Sequence, residues 1–234
     1  MLKVCLNGGV GRHEHPAVPV TAEEVAADAA RCVAAGAGAV HVHPRGEDGN
    51  ETLDPAAVAD TLTALRRACP GLPIGVSTGA WIEPDPGSRV AAVRAWTVLP
   101  DFASVNVHEE GAELVATALH ERGVGVEAGV WRPGALAAYR RWRVPALRVL
   151  VECMAPDPAE ALANADVVLA ALPAGGPDVL LHAEGPAVWD VLRLAVQRGL
   201  HTRVGLEDTR TLPDGSVTAG NEELVRVAVE LGAR

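Results

Sequence analysis

The 234-residue chain lacks any hydrophobic run of eighteen residues, and it carries few basic groups for its length. Without such a run, no membrane span is expected. Its 20 Lys and Arg residues are outnumbered by 30 Asp and Glu residues, which gives a formal net charge of -10. Because a nucleic-acid partner needs a basic face, none is expected. The short apolar stretch at the start has no basic segment before it and no cleavage pattern after it, which favours a first strand over a signal peptide.

Cysteines and aromatic residues are also scarce. The cysteines show no CxxC spacing and lie in apolar surroundings, which favours reduced, buried thiols in a cytoplasmic protein. They are Cys5, Cys32, Cys69 and Cys153. Hydrophobic residues make up 49% of the chain, enough for one substantial core. We therefore expect residues 1–234 to form a single domain.

Short β-rich runs alternate with amphipathic segments along the whole chain. This pattern predicts eight strands, at residues 4–6, 39–43, 73–78, 102–107, 123–130, 147–153, 179–183 and 202–207. It also predicts eight helices, at residues 21–35, 55–69, 88–97, 110–122, 133–141, 157–171, 186–198 and 221–231. Thr21 followed by Glu24 is a capping-box pattern, and proline suits the first turn of the second helix.

The predicted strands are near-continuous Val, Ile and Leu runs, which is typical of a parallel sheet covered by helices. Eight βα units in a chain of this length predict a (β/α)8 TIM barrel. A doubly wound open sheet is the alternative. In a barrel the catalytic groups lie at the carboxyl ends of the strands, and most polar residues of the predicted strands lie there.

His41 and His43 stand two residues apart in the second predicted strand, so their side chains point to the same face. Two imidazoles can bind one metal ion there, with a third ligand from elsewhere and one position open for substrate. Glu207 is the best candidate, because the eighth strand lies near the second around a closed barrel. This ligand set suits zinc, and also iron or manganese. The alternative is that both histidines are hydrogen-bonded core or rim residues.

Arg203 and Asp208 accompany Glu207 in the last predicted strand. If that strand is regular, the two carboxylates diverge and Arg203 lies about 13 Å below Glu207, with Gly205 leaving room for the guanidinium to rise. A buried arginine is costly unless it meets a carboxylate. Arg203 could therefore hold Asp208, another interior acid or a substrate carboxylate. Asp208 could be a general base near a dication, or the cap of a helix or turn.

Other polar residues carry weaker signals. The segment His13-Glu14-His15 is more typical of a solvated loop than of a substrate contact. His108 and His182 are at least as typical of rim histidines as of substrate contacts. Glu127 and Glu152 are candidates for interior partners of Arg203.

Two motifs occur in order along the chain: an HxHxR motif, His41-Val42-His43-Pro44-Arg45, and an RxGxED motif, Arg203-Val204-Gly205-Leu206-Glu207-Asp208. Further segments accompany them, namely Asn7-Gly8-Gly9, the stretch from His15-Pro16 to Glu23-Glu24, Ala35-Gly36-Ala37, Asp48-Gly49, Val76-Ser77-Thr78-Gly79, Val105-Asn106-Val107, Glu109-Glu110-Gly111-Ala112 and Asn221-Glu222-Glu223-Leu224-Val225. Together they resemble the β-keto acid cleavage enzymes, whose name-giving member is the 3-keto-5-aminohexanoate cleavage protein.

The resemblance implies a TIM barrel with one zinc ion on His41, His43 and Glu207. It implies that a β-keto acid reacts with acetyl-CoA to give acetoacetate and a new acyl-CoA. Zinc would act as a Lewis acid that stabilises an enolate, while Asp208 removes the α-proton with help from Arg203.

The same resemblance implies roles for residues of the other loops. Ser77 would act in catalysis, where it contacts substrate or stabilises the developing oxyanion. Substrate contacts would come from Asn106, Thr78, Arg45 and Glu14.

Two other functions remain open at this stage. Zinc hydrolases on the same barrel also use HxH, but usually on the first strand and with further His or Lys ligands on middle strands. The second is a non-catalytic barrel that serves in binding or assembly. In such a barrel the inward-facing histidines and the charged residues of the last strand would reduce stability and serve no purpose. A homo-oligomer is expected, because such barrels are commonly oligomeric.

Overall fold

Strands and helices alternate along residues 1–234, all of which the computed structural model describes. The strands are β1 (Leu2–Cys5), β2 (Ala39–Val42), β3 (Ile74–Ser77), β4 (Phe102–Asn106), β5 (Gly125–Val130), β6 (Arg148–Cys153), β7 (Asp178–Ala183) and β8 (Thr202–Val204). The helices are α1 (Ala22–Ala35), α2 (Pro55–Ala68), α3 (Pro86–Ala95), α4 (Ala112–Glu121), α5 (Pro133–Tyr139), α6 (Pro158–Ala171), α7 (Val188–Gln197) and α8 (Asn221–Glu230). A short 3-10 helix, Gly185–Ala187, precedes α7.

The eight strands form one parallel sheet in the order β7-β6-β5-β4-β3-β2-β1-β8. Between β7 and β8 the pairing is a single parallel bridge, Leu180 with His201. His201 donates its N–H to Val179 and accepts from the N–H of Leu181, and these two bonds nearly close the barrel. The chain therefore forms a (β/α)8 TIM barrel, as predicted, and the doubly wound alternative is wrong.

The core lies between the barrel and its ring of helices. One cluster of 38 buried residues joins β1–β4 to the helices that cover them, and a second cluster of 16 residues joins β5–β7 to α5, α6 and α7. Burial of both faces explains why the strands are almost continuously apolar.

Sequence signals at the helix starts act as expected. Thr21 and Glu24 form the predicted capping box. Asp54, Asp85 and Asp157 cap α2, α3 and α6, and in each case a proline occupies the first turn of the helix. All four cysteines are buried and free, which agrees with the predicted thiols. None of the helices combines the length and the apolar character that a membrane crossing needs.

The predicted eighth strand is too long. β8 ends at Val204, and residues 205–208 form a turn that folds both carboxylates over the barrel. The expected 13 Å between Arg203 and Glu207 is therefore wrong: their charged atoms are 3.0 Å apart. Glycine is required at position 205, but not to make room for Arg203 as expected. A Cβ at this position would lie 1.9 Å from the carbonyl oxygen of Cys5, so the close approach of β1 requires glycine.

Charged side chains also fill the opposite, amino-terminal half of the barrel. Glu127 accepts from Lys3 Nζ at 2.7 Å, and Arg148 lies 3.3 Å away. The charged groups of Lys3 and Arg148 also lie over the ring of Phe102, each 5.3 Å from its centroid. Glu127 is thus a partner of Lys3 and Arg148. The prediction that Glu127 could pair with Arg203 is wrong, because these cations are nearer to it along the barrel.

Lys3→Met should strongly destabilise the protein, because it leaves the carboxylate of Glu127 buried with only a longer contact to Arg148. Loss of one member of a buried pair typically costs about 3–5 kcal/mol. The free energy of unfolding, measured by urea titration, gives this value. Arg94→Met is the control, since the exposed pair of Arg94 with Glu121 should contribute no more than about 1 kcal/mol. Equal effects of the two substitutions would contradict the interpretation.

Candidate active site

A cavity of about 380 Å³ opens at the carboxyl ends of the strands. Of the predicted site residues it is lined by six: His41, His43, Ser77, Asn106, Arg203 and Glu207. A larger groove of about 830 Å³ lies elsewhere, along α1 and α2, and contains none of the predicted metal ligands. The chemistry expected from the sequence therefore gathers in the smaller cavity.

His41, His43 and Glu207 converge in this cavity, and their potential ligand atoms lie within 4.8 Å of one another. His41 Nε2 and His43 Nε2 are 3.0 Å apart, and Glu207 Oε2 lies 3.9 and 3.5 Å from them. Ligands at about 2.1 Å on a tetrahedral zinc ion are about 3.4 Å apart. The spacing of the three side chains therefore fits one such ion.

Two further observations support this fit. Glu207 Oε2 is buried and has no hydrogen-bond partner. Gly8 lies beside it with φ of +50°, and a Cβ there would lie 2.4 Å from Glu207 Cγ. A glycine in this left-handed conformation thus makes space for the carboxylate that faces both imidazoles. Burial and the neighbouring His43 lower the pKa of His41 well below its usual value, so its ring is neutral.

Glu51 belongs to this site, although no sequence motif predicted it. Its carboxylate makes a short hydrogen bond with His43 Nδ1 and accepts from Trp81 Nε1 at 3.1 Å. Burial alone would raise the pKa of Glu51, but the hydrogen bonds with His43 and Trp81 lower it below its usual value. The available signal was the turn at Asp48-Gly49, which returns the chain so that residue 51 pairs with residue 45. Such a carboxylate fixes the tautomer and orientation of a ligating histidine.

Two buried asparagines hold the loops that carry the predicted metal ligands. The side chain of Asn7 donates to the carbonyl of His43 and accepts from its N–H. The side chain of Asn221 accepts from the N–H of Leu206 and donates to the carbonyl of Leu6. Both asparagines lie in the segments that resemble the family, but only the structure shows that they bond to the backbone at His43 and Leu206.

Arg203 binds both carboxylates of the last turn. Its Nη2 lies 2.8 Å from Asp208 Oδ1 and 3.0 Å from Glu207 Oε1, and its Nε also donates to Asp208. The sequence-based expectation that Arg203 could hold Asp208 is therefore confirmed. Burial raises the pKa of Asp208 well above its usual value, against the opposing effect of Arg203. Asp208 Oδ2 is buried without a partner, and Asp208 is not among the residues that line the cavity.

Ser77 and Asn106 lie in the cavity, and Thr78 does not. Ser77 Oγ accepts from the N–H of Gly79 at 3.3 Å. The amide of Asn106 donates to Glu109 at 2.9 Å and accepts from Trp131 Nε1 at 3.1 Å. Thr78 gives its hydroxyl hydrogen to the carbonyl of Ser104.

Arg45 and Glu14 lie outside the cavity. The guanidinium of Arg45 donates to loop carbonyls, including those of Val10 and Gly49. Glu14 is exposed and pairs with Arg210 at 3.3 Å, and Arg210 does line the cavity. The expected solvated loop is only partly correct, because His15 is buried and bonds to the carbonyl of Thr218.

Of the remaining candidates, Glu152 lines the cavity, His182 lies next to Glu152, and His108 is exposed. His182 Nε2 is 3.7 Å from Glu152 and its Nδ1 is 4.0 Å from Asp208. Burial and the nearby Arg203 lower the pKa of His182 well below its usual value. Burial raises the pKa of Glu152 to about 7, and the charge of Arg203 opposes this rise. Glu152 makes no hydrogen bond to Arg203, in contrast to the expectation.

A barrel whose charged side chains gather at the carboxyl ends of its strands is the architecture of TIM-barrel enzymes, and the chain belongs to that class. Its sequence matches the profile of the beta-keto acid cleavage enzyme family over residues 1–234, and the chain is a member of this family. It is therefore an enzyme that cleaves carbon–carbon bonds and acts on β-keto acids.

Two curated relatives illustrate the range of the family. A 3-keto-5-aminohexanoate cleavage enzyme from Fusobacterium nucleatum is 27% identical over 240 aligned residues, covering 95% of this chain and 88% of that protein. A 3-oxoadipate:acetyl-CoA acetyltransferase from Cupriavidus necator is 34% identical over 80 residues, covering 34% of this chain and 28% of that protein.

Solved structures show the same fold. The apo structure of ObcA superposes with a TM-score of 0.74 at 16% identity and covers 92% of this chain. This chain spans only 61% of that ObcA chain. The native KDPGal structure superposes with a TM-score of 0.63 at 17% identity, over 98% of this chain and 93% of that one. At these identities the likeness concerns the fold alone.

We predict that Glu51→Gln weakens zinc binding, because the amide no longer holds His43 through a charged hydrogen bond. Loss of such a supporting carboxylate typically costs about 10–100-fold in metal affinity. The dissociation constant is measured by competition with a chromophoric chelator, without any assay of activity.

Two further variants serve as controls for this measurement. Glu47→Gln changes an exposed carboxylate on the same loop and should leave the affinity unchanged. His41→Ala should abolish stoichiometric zinc while circular dichroism retains the wild-type secondary structure. Wild-type affinity in Glu51→Gln would show that the bond to His43 does not support the metal.

Proposed function

We propose that this enzyme is a zinc-dependent β-keto acid cleavage enzyme that uses acetyl-CoA as co-substrate and yields acetoacetate and a new acyl-CoA. The observation that carries the proposal is the convergence of His41, His43 and Glu207 directly above the buried pair of Arg203 and Asp208. The first group provides a metal site with an open position, and the second provides a carboxylate next to it.

His41, His43 and Glu207 would hold the zinc ion, with Glu51 fixing the ring of His43. When bound, zinc supplies a Lewis acid that polarises the keto oxygen and stabilises negative charge developing on it. With zinc bound, two neutral imidazoles and one carboxylate would leave the ion and its ligands with a net positive charge. This charge suits a substrate with a carboxylate beside its ketone.

Asp208 would remove a proton from the carbon between the ketone and the carboxylate. Its Oδ1 is held by Arg203, while its Oδ2 is buried and has no protein partner. That unpaired oxygen would receive the proton. Arg203 also holds Glu207, so one guanidinium fixes the base relative to the metal ligand.

Residues on the strands opposite would stabilise the oxyanions that form. Ser77 accepts from a backbone N–H and retains its own hydroxyl hydrogen for a substrate oxygen. Asn106 uses one amide hydrogen on Glu109 and keeps the other for the same task. Thr78 and Arg45 would contribute indirectly by fixing their loops, and Glu14 by holding Arg210 at the cavity.

The carbon chemistry then balances without a further reactant. The deprotonated carbon forms a bond to the acetyl carbon of acetyl-CoA, and the carbon–sulfur bond breaks to release the CoA thiolate. The thiolate adds to the original keto carbon. The bond between that carbon and its neighbour breaks, and the released carbanion takes back the proton held by Asp208, which gives acyl-CoA and acetoacetate. The printed name of the Cupriavidus necator relative, an acetyl-CoA acetyltransferase, supports this use of acetyl-CoA.

A coupled assay tests this proposal. Zinc-loaded enzyme is incubated with acetyl-CoA and a panel of β-keto acids, and acetoacetate and acyl-CoA are measured together. We expect both products in equal amounts, and only when acetyl-CoA is present. Turnover of an ester or amide that does not depend on a thioester would instead favour the zinc hydrolase.

Asp208→Asn should abolish proton transfer but retain zinc, because Glu207 is unchanged. We expect enzyme-dependent exchange of the α-hydrogen for deuterium to fall by about 10²–10⁴-fold, the usual contribution of a positioned base. Exchange is followed by NMR in D₂O without acetyl-CoA, against the spontaneous background. Wild-type exchange in a variant with full zinc content would exclude Asp208 as the base.

A homo-oligomer, a cytoplasmic location and a single domain over residues 1–234 stay predictions. Gel filtration with light scattering measures the first directly.

A further inference from the structure

A buried ion pair lies behind the cavity, between helix α3 and the turn that follows β4. Arg89 is fully buried on α3, and its Nη1 lies 2.6 Å from Oε2 of Glu109, whose side chain is only 8% exposed. Neither residue lines the cavity, and neither has a role in the proposed chemistry. Apolar residues of the same size often stabilise a fold as well as a buried ion pair does. Stability alone therefore does not account for the pair.

Gly111 brings the two elements together. Its φ is +70°, and a Cβ there would lie 2.3 Å from Cβ of Pro86, the first residue of α3. Glycine at this position therefore lets α3 pack directly on the turn after β4. In this packing Arg89, on the first turn of α3, binds the carboxylate of Glu109 and the carbonyl of Glu110.

The two oxygens of the Glu109 carboxylate have different partners. Oε2 accepts from Arg89 Nη1 and, at 3.0 Å, from the N–H of Ala80, so it is anchored to α3 and to the loop after β3. Oε1 accepts from Nδ2 of Asn106 at 2.9 Å. One oxygen thus fixes the carboxylate, and the other binds a side chain that lines the cavity.

The orientation of the Asn106 amide follows from the chemistry of its two neighbours. Trp131 Nε1, which can only donate, lies 3.1 Å from Oδ1 of Asn106. The carboxylate of Glu109, which can only accept, lies beside Nδ2. A rotation of the amide by 180° would break both hydrogen bonds. The second hydrogen on Nδ2 is therefore held in one direction.

We propose that Glu109, anchored by Arg89, is a positioning residue that keeps the second amide hydrogen of Asn106 directed at the oxyanion formed from the substrate. Glu109 does not touch the substrate and acts through Asn106. The inference rests on the proposed function, because only there is Asn106 an oxyanion donor. A donor that is oriented in advance stabilises developing charge without reorganisation, which gives the buried pair a use outside the cavity.

A double-mutant cycle tests whether Glu109 acts through Asn106. In Glu109→Gln the amide oxygen would stay with the donors Arg89 and Ala80, which leaves the glutamine NH2 against Nδ2 of Asn106. The rate of α-hydrogen exchange at saturating substrate, measured on zinc-loaded enzyme in D₂O, should therefore fall about 10–100-fold, with KM changed less than about twofold. In an Asn106→Ala background the same substitution should lower the rate less than about twofold.

The control for the cycle is Glu110→Gln, which changes an exposed neighbour and should keep the wild-type rate. Equal effects of Glu109→Gln in the two backgrounds would show that the pair only stabilises the fold, and would overturn the inference.

The side-chain amide of Asn106 gives a second readout, which needs neither acetyl-CoA nor turnover. Its ¹⁵N–¹H signals are assigned by their loss in Asn106→Ala. Exchange of these hydrogens with solvent should be slow in the wild type and at least about tenfold faster in Glu109→Gln. Glu109→Asp serves if the glutamine variant does not fold, because it keeps a charge near Arg89 but draws back from Asn106.

These outcomes separate the inference from the proposed function. Faster amide exchange in the Glu109 variant supports the inference even if acetyl-CoA-dependent cleavage is not found, and that absence would overturn the proposed function alone. A fast-exchanging Asn106 amide in the wild type, or an exchange rate that the Glu109 variant leaves unchanged, would overturn the inference.

Discussion

The buried guanidinium of Arg203 is the constraint on which the rest of the site depends. An arginine inside a barrel is tolerated only when carboxylates surround it, and here it takes two from a single turn, Glu207 and Asp208. Because it holds both, the proposed metal ligand and the proposed base have a fixed relation to each other. The close packing of Gly205 on β1 allows this turn to form directly after β8.

Around that pair, further side chains support His43 and the backbone next to Glu207. Glu51 and Trp81 hold the ring of His43, while Asn7 and Asn221 fix the backbone on either side. These contacts orient side chains before any ligand arrives, which is the condition for a site with little reorganisation. The opposite wall differs, because its acids, Glu152 and Glu184, form no salt bridge with a lysine or arginine, and Glu152 lies 3.7 Å from His182.

Much of the fold could be predicted from local signals. Apolar runs, the Thr21–Glu24 capping box and prolines at helix starts defined the eight βα units. The ends of the strands could not be predicted as well. β8 is shorter than its apolar pattern predicted, because the chain turns where Gly205 packs against Cys5. The cations that pair with Glu127 are the ones at the same height in the barrel, Lys3 and Arg148. A sequence pattern does not reveal this height.

For the site, the sequence by itself determined that two histidines share a face, because residues two apart in a strand point the same way. It also placed Glu207 at the correct end of the barrel, and its motifs identified the family. Only the tertiary structure decided that Arg203 reaches both carboxylates, that Glu51 holds His43, and that Glu152 and Glu184 line the cavity. These relations join loops that are far apart in the chain, and their geometry is fixed when the barrel closes.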